Sequence, residues 1–125
     1  MRVWRVAHEI ARVMSFPAGP YAYGTSLGED TNERIDPMRW EHTDERHPCP
    51  SFDKTLRTIR PEERCGFDSR EALDDWFDGW TTTLAECGFR VYTYDVPDWA
   101  VRVGALGQAL FLADEAMEVG TEPFA

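Results

Sequence analysis

Residues 66–96 read GFDSREALDDWFDGWTTTLAECGFRVYTYDV, and this run decides the fold class. Asp68, Ser69, Arg70 and Glu71 have the Asp/Ser/Thr-x-x-Glu form that caps a helix start, so a helix is expected from Asp68 or Ser69. Leu73, Trp76, Phe77, Trp80 and Leu84 then recur at helical spacing and form one apolar stripe. Gly88 suits the left-handed position just past a helix end. Gly79 interrupts the run at some cost in helix stability and would allow a second backbone to come close. The spacing predicts one amphipathic helix over 68–87. Residues 89–96, rich in Val, Tyr and Thr, predict a strand directly after it.

Downstream, Pro97 and Asp98 turn the chain. Residues 101–103 and 108–112 read as two further strands around a Gly104 to Gly107 turn. The tail from Asp114 is short and acidic. Upstream, residues 2–8, RVWRVAH, alternate as a strand with Val3, Arg5 and Ala7 on one face and Trp4, Val6 and His8 on the other. Residues 7–14 also fit the start of a helix, through Ile10, Val13 and Met14, but the β-branched opening favours the strand. Residues 15–61 are polar and dotted with prolines, and predict a long loop with one short helix over 36–44. There Asp36 would be the cap and Pro37 the first helical residue. A loop of that length in a compact domain usually carries function. The expectation is a single α+β domain over residues 1–125: a mixed or antiparallel sheet, one main amphipathic helix over 68–87 and a long N-terminal loop region.

The chain has 125 residues, 42% of them hydrophobic, enough for a core of its own without disulfides or metals. Net charge is −10, and Lys54 is the only lysine. That balance disfavours general nucleic-acid binding, which rests on cationic contacts to phosphates, and suits a basic partner or mimicry of a polyanion. No apolar run reaches the roughly 18 to 20 residues of a membrane span. Charged residues break up any signal-peptide core at the start. Three cysteines, at 49, 65 and 87, make no disulfide framework. A reducing cytoplasm is the expected location.

His42, His47 and Cys49 lie close together, but their spacing matches no zinc pattern, and no metal is expected. Asp53 with His47 and Cys49 could be read as a nucleophile set, yet nothing in the spacing orients a base. Trp76 and Trp80, four apart, read first as core. Gln108 opens an otherwise apolar strand, so its amide needs either a buried network or a ligand. The segment SFPAGPYAYG, residues 15–24, sets Tyr21 and Tyr23 on a glycine-proline loop that is neither helix nor strand.

Several stretches together resemble a group of small bacteriophage and prophage proteins: VWRVAH at 3–8, GPY at 19–21, HPCPSFD at 47–53, GFDSREALDDWF at 66–77, GFRVYTYDV at 88–96 and GALGQALF at 104–111. The resemblance covers most of the chain apart from residues 24–46. The layout is also similar to small ADP-ribosyltransferases, and that likeness implies NAD as cofactor. It places Arg5 and Gln108 in catalytic positions. Arg5, Gly19 and Tyr21 would hold the cofactor, Arg5 at its phosphates and Tyr21 stacked on the nicotinamide. Gln108 would hold a ribose hydroxyl, and His47 and Asp53 would shape the side facing a host or phage acceptor. One departure is plain: Leu110 stands where such enzymes carry a glutamate. Two other readings fit the composition. One is an acidic phage-borne protein that inhibits a host factor by binding, and the other is a virion accessory protein.

Overall fold

The structure is a computed structural model and describes residues 1–124 except 23, 45, 51 and 52. Tyr23 of the glycine-proline loop and residues 51 and 52 of the HPCPSFD stretch therefore lie outside the described residues.

A six-stranded sheet forms the centre. Its strands are β1 (Arg2–His8), β4 (Glu63–Phe67), β5 (Phe89–Asp95), β6 (Val101–Val103), β7 (Gln108–Leu112) and β8 (Met117–Glu122), in the order β6-β7-β4-β1-β5-β8. Every neighbouring pair is antiparallel. A two-stranded hairpin, β2 (Arg12–Val13) and β3 (Phe16–Pro17), stands apart from it. Met14 and Ser15 close that hairpin, both with positive φ, as a two-residue turn between twisted strands requires. Among the described residues, three α-helices complete the α+β domain: α1 (Glu29–Glu41), α2 (Arg70–Trp76) and α3 (Thr81–Glu86).

The alternation read in β1 divides two cores. Val6, Phe67, Phe89 and Val91 pack against Ile35 and Met38 of α1, Leu73 of α2 and Leu84 of α3. On the other face Val3, Ala7, Tyr92, Tyr94, Ala109 and Phe111 form a second cluster. Phe16 of the hairpin covers it, stacking on Tyr94 at 5.4 Å and meeting Phe111 edge-on at 6.0 Å.

Three parts of the sequence reading need correction. The helix over 68–87 is two helices. Gly79, at φ 86°, breaks the run, and α3 restarts at Thr81. The first of the two is capped by Ser69, one of the two starts expected, whose Oγ accepts from the Ala72 amide at 3.0 Å, although the box pairing of Asp68 with Glu71 does not form. The long N-terminal segment is mostly loop, as expected, but its helix is longer than expected and starts earlier. The helix expected over 36–44 begins at Glu29, capped by Gly28, with Pro37 well inside it. Glu29 and Asp30 in its first turn complement the helix dipole. Finally, β4 and β8 had no place in the sequence reading. β8 is exposed along most of its length and held by pairing with β5, so it lacks the alternation that marks a strand.

Ser69→Ala removes the one side-chain cap on α2 and should lower stability by about 1 kcal/mol, read as a shift in the urea midpoint. Glu71→Ala should leave that midpoint nearly unmoved.

Candidate functional site

β1 and β4 share a single register pair, Trp4 opposite Phe67. Beyond it the strands are bridged by a side chain: Arg5 Nη1 donates to the Cys65 carbonyl at 2.6 Å. A cavity of about 450 Å³ opens beside this bridge. That volume lies within the ordinary range for small-molecule sites, roughly 300 to 1,000 Å³.

Two loops wall the cavity, and buried polar groups fix both. The 18–22 loop is held to α1 by Arg39, which is itself buried. Arg39 donates to the Pro20 carbonyl at 3.0 Å and the Ala22 carbonyl at 2.8 Å, and also to the Asn32 and Asp36 side chains. This clamp sets Tyr21 on the cavity wall and accounts for a ring on a glycine-proline loop. Gly19 lets the loop pass close to Arg5, for a Cβ there would lie 3.0 Å from Nη2. The 47–50 loop is held by Gln108, whose Nε2 donates to the Pro48 carbonyl at 2.9 Å.

Between the loops sits an aromatic cluster. Trp76 Nε1 donates to the Tyr21 hydroxyl at 2.8 Å, and that hydroxyl is hydrogen-bonded to His42 Nδ1 at 2.5 Å. Burial, with His47 stacked on it at 4.1 Å, pushes the His42 pKa down to about 4. Burial also raises the Tyr21 hydroxyl well above its usual value, against the hydrogen bond from Trp76. His47 faces acceptors at both ring nitrogens: the Asp44 carboxylate at 2.8 Å and the Trp76 carbonyl at 3.0 Å.

Arg5 is the electrostatic centre of the site. It is 8% exposed, its guanidinium bonds only the carbonyls of Cys65 and Pro17, and its Nε has no partner among the described residues. None of its hydrogen bonds goes to a carboxylate. Burial lowers its pKa, Cys65 and Tyr94 work the other way, and Arg64, itself close to the Phe16 ring that Arg5 overlies, adds a smaller repulsion. A desolvated cation without a counter-charge creates a strong local demand for an anion. Cys65 reaches the cavity too. It is an exposed residue on the cavity wall.

The residues singled out in the sequence separate cleanly. Arg5, Gly19, Tyr21, His47 and Gln108 all line this one cavity. Asp53 does not. Its carboxylate accepts from the amides of Ala105, Thr55 and Leu56, which hold its pKa below the usual carboxylate range and tie the 53–56 turn to the β6–β7 connection. Its place is structural. His42, given no role in the sequence reading, and Trp76, read first as core, are wall residues. Glu63 also lines the cavity, but Arg102 holds both of its oxygens. Among the described residues no three His, Cys, Asp or Glu side chains gather as a metal site, and no helix is long and apolar enough to cross a membrane.

No curated protein and no solved structure matches the chain. The family model described as Bacteriophage T4 Y00F protein matches residues 1–125. The chain thus belongs to the bacteriophage T4 Y00F protein family.

Proposed function

We propose that this phage protein binds a phosphate-bearing nucleotide of the NAD class in the β1–β4 cavity. One observation carries the reading: Arg5 is a buried cation in the cavity wall, bonded to carbonyls alone and with Nε unused. Phosphate oxygens are the acceptors a guanidinium fork fits best. Tyr21, Trp76 and Phe67 supply flat apolar surface for a ring, and Gln108 supplies an amide. Arg5 binds and orients in this reading, and Tyr21 is held in place by Trp76 and His42.

Transfer of ADP-ribose is the finer reading. The meeting of Arg5, Gly19, Tyr21 and Gln108 at one cavity favours it. Its demand is a carboxylate to steady the cation formed as the glycosidic bond breaks. Leu110 cannot serve, and Glu63 is neutralised by Arg102. Binding is therefore the function the geometry supports best.

Calorimetric titration of NAD into the protein should give saturable heat at millimolar concentration or below. Arg5→Met should weaken that binding by about tenfold or more, as expected for losing a charge-assisted contact to phosphate. It should stay folded by circular dichroism, because it removes an uncompensated buried charge. Absence of heat in a folded wild-type sample would refute the proposal. The acidic interaction protein would then be the better reading, with Trp40 (78% exposed) and Trp99 (71% exposed) as its contact residues.

A further inference from the structure

Three buried side-chain atoms lack a partner among the described residues: Arg5 Nε, Tyr94 Oη and Gln108 Oε1. Gln108 is the informative one, because its orientation is fixed. Its Nε2 donates to the Pro48 carbonyl, which can only accept. Turning the amide over would set two acceptors against each other. Oε1 is therefore the remaining end, an acceptor with no donor. Gln108 is 6% exposed, pairs with Phe67 across β4 and β7, and lines the cavity with Trp76. A buried acceptor left without a donor is costly, and a ligand that brings an N–H recovers that cost on binding.

We infer that Gln108 sets the specificity of the cavity: it selects a ligand whose planar head carries a neutral N–H donor, such as a carboxamide, over the same ligand bearing a carboxylate. The inference rests on the proposal that the cavity takes an NAD-class nucleotide, and it adds which end of the ligand is read and how. A carboxamide gives Oε1 the hydrogen it lacks. A carboxylate sets an anionic acceptor against a neutral one, away from water, where the mismatch is least forgiving. Selection thus follows from the unmet bond rather than from shape, since the two heads are nearly the same size.

The test is calorimetry with NAD and with its nicotinic acid analogue, which share the pyrophosphate and the adenosine and differ only in that head group. The wild type should bind NAD about tenfold more tightly or better. Gln108→Met keeps side-chain length without the acceptor and should bring the affinity ratio close to one. The ratio is the readout, so a uniform loss from freeing the Pro48 carbonyl does not mimic the effect. It also separates Gln108 from the general repulsion of an acidic protein for an extra carboxylate. The wild-type ratio stands as a test by itself if the variant fails to fold. Equal affinities in the wild type would overturn the inference and leave the nucleotide proposal intact. Persistence of the full ratio in folded Gln108→Met would overturn the role of Gln108. No heat from either dinucleotide would remove both.

Discussion

Phe77→Ala should destabilise the protein by about 3 to 5 kcal/mol, the range for deleting a large core aromatic. Phe77 is 2% exposed and lies under the cavity. Its ring stacks near Tyr21 at 6.2 Å and meets His42 at 5.7 Å and Phe67 at 6.1 Å, so three walls of the site rest on it. A loss of that size takes a large part of the roughly 5 to 15 kcal/mol that holds such a domain together. Trp76→Ala should cost clearly less, about 1 to 2 kcal/mol, because that ring is only half-buried and much of its surface already meets solvent or the cavity. The two variants should also part in function. Trp76→Ala frees the Tyr21 hydroxyl and strips one cavity wall while the fold persists, so it should weaken ligand binding more than stability. Urea denaturation of both variants checks the ranking, and equal midpoints would contradict it.

That ranking reverses a natural expectation from the sequence, and the reason is physical. The stripe of Leu73, Trp76, Phe77, Trp80 and Leu84 marks a helix face but cannot say which ring reaches the centre of the face. Gly79 breaks the helix within the stripe, and Leu73, Phe77 and Leu84 are the members fully buried. The strands β1, β5, β6 and β7 were legible because each has β-branched or aromatic residues in a strand pattern. β4 was not, since its sequence ERCGF opens on a glutamate that only a distant arginine can make tolerable inside. The start of α1 was hidden for a similar cause: one of its buried residues is Arg39, two of whose partners lie in a loop seventeen and more residues earlier in the chain. As for the site, Arg5, Tyr21 and Gln108 could be named in advance from their chemistry and from a resemblance. His42 and Trp76 could not, because their part comes from hydrogen bonds to Tyr21 that no spacing encodes.

Arg102→Met should cost about 3 kcal/mol at neutral pH, the low end of the range for breaking a buried ion pair, since Arg102 keeps some exposure. The Glu63 side chain is 3% exposed. Burial pushes its carboxyl up, but two hydrogen bonds from Arg102, at 2.7 and 3.0 Å, and one from the Arg60 amide outweigh that and hold its pKa below the ordinary 4.5. A carboxyl depressed in the folded state binds its proton more readily when unfolded. Its stabilisation is therefore full above about pH 4.5 and is lost as pH falls further, through the folded value. In Arg102→Met the carboxylate is stranded, burial dominates, and protonation relieves the protein instead. The difference between wild type and variant should thus be largest near pH 7 and shrink on acidification. His42 sets a control on the same axis. Its pKa falls from 6.5 to about 4 on folding, so both proteins should lose stability alike between those values for a cause unrelated to Arg102. Arg102 also donates to the carbonyls of Leu56 and Thr58, which fastens the 56–63 segment to edge strand β6. Part of the cost is that lost anchoring, and it does not depend on pH. The double substitution Glu63→Leu with Arg102→Met separates the two parts, because it removes the stranded charge and leaves only the anchoring loss. Urea midpoints of wild type, single and double variants at pH 7 and pH 4 give the answer. A wild-type-to-Arg102→Met difference that stays constant over that range would show that the Glu63 charge plays no part in it.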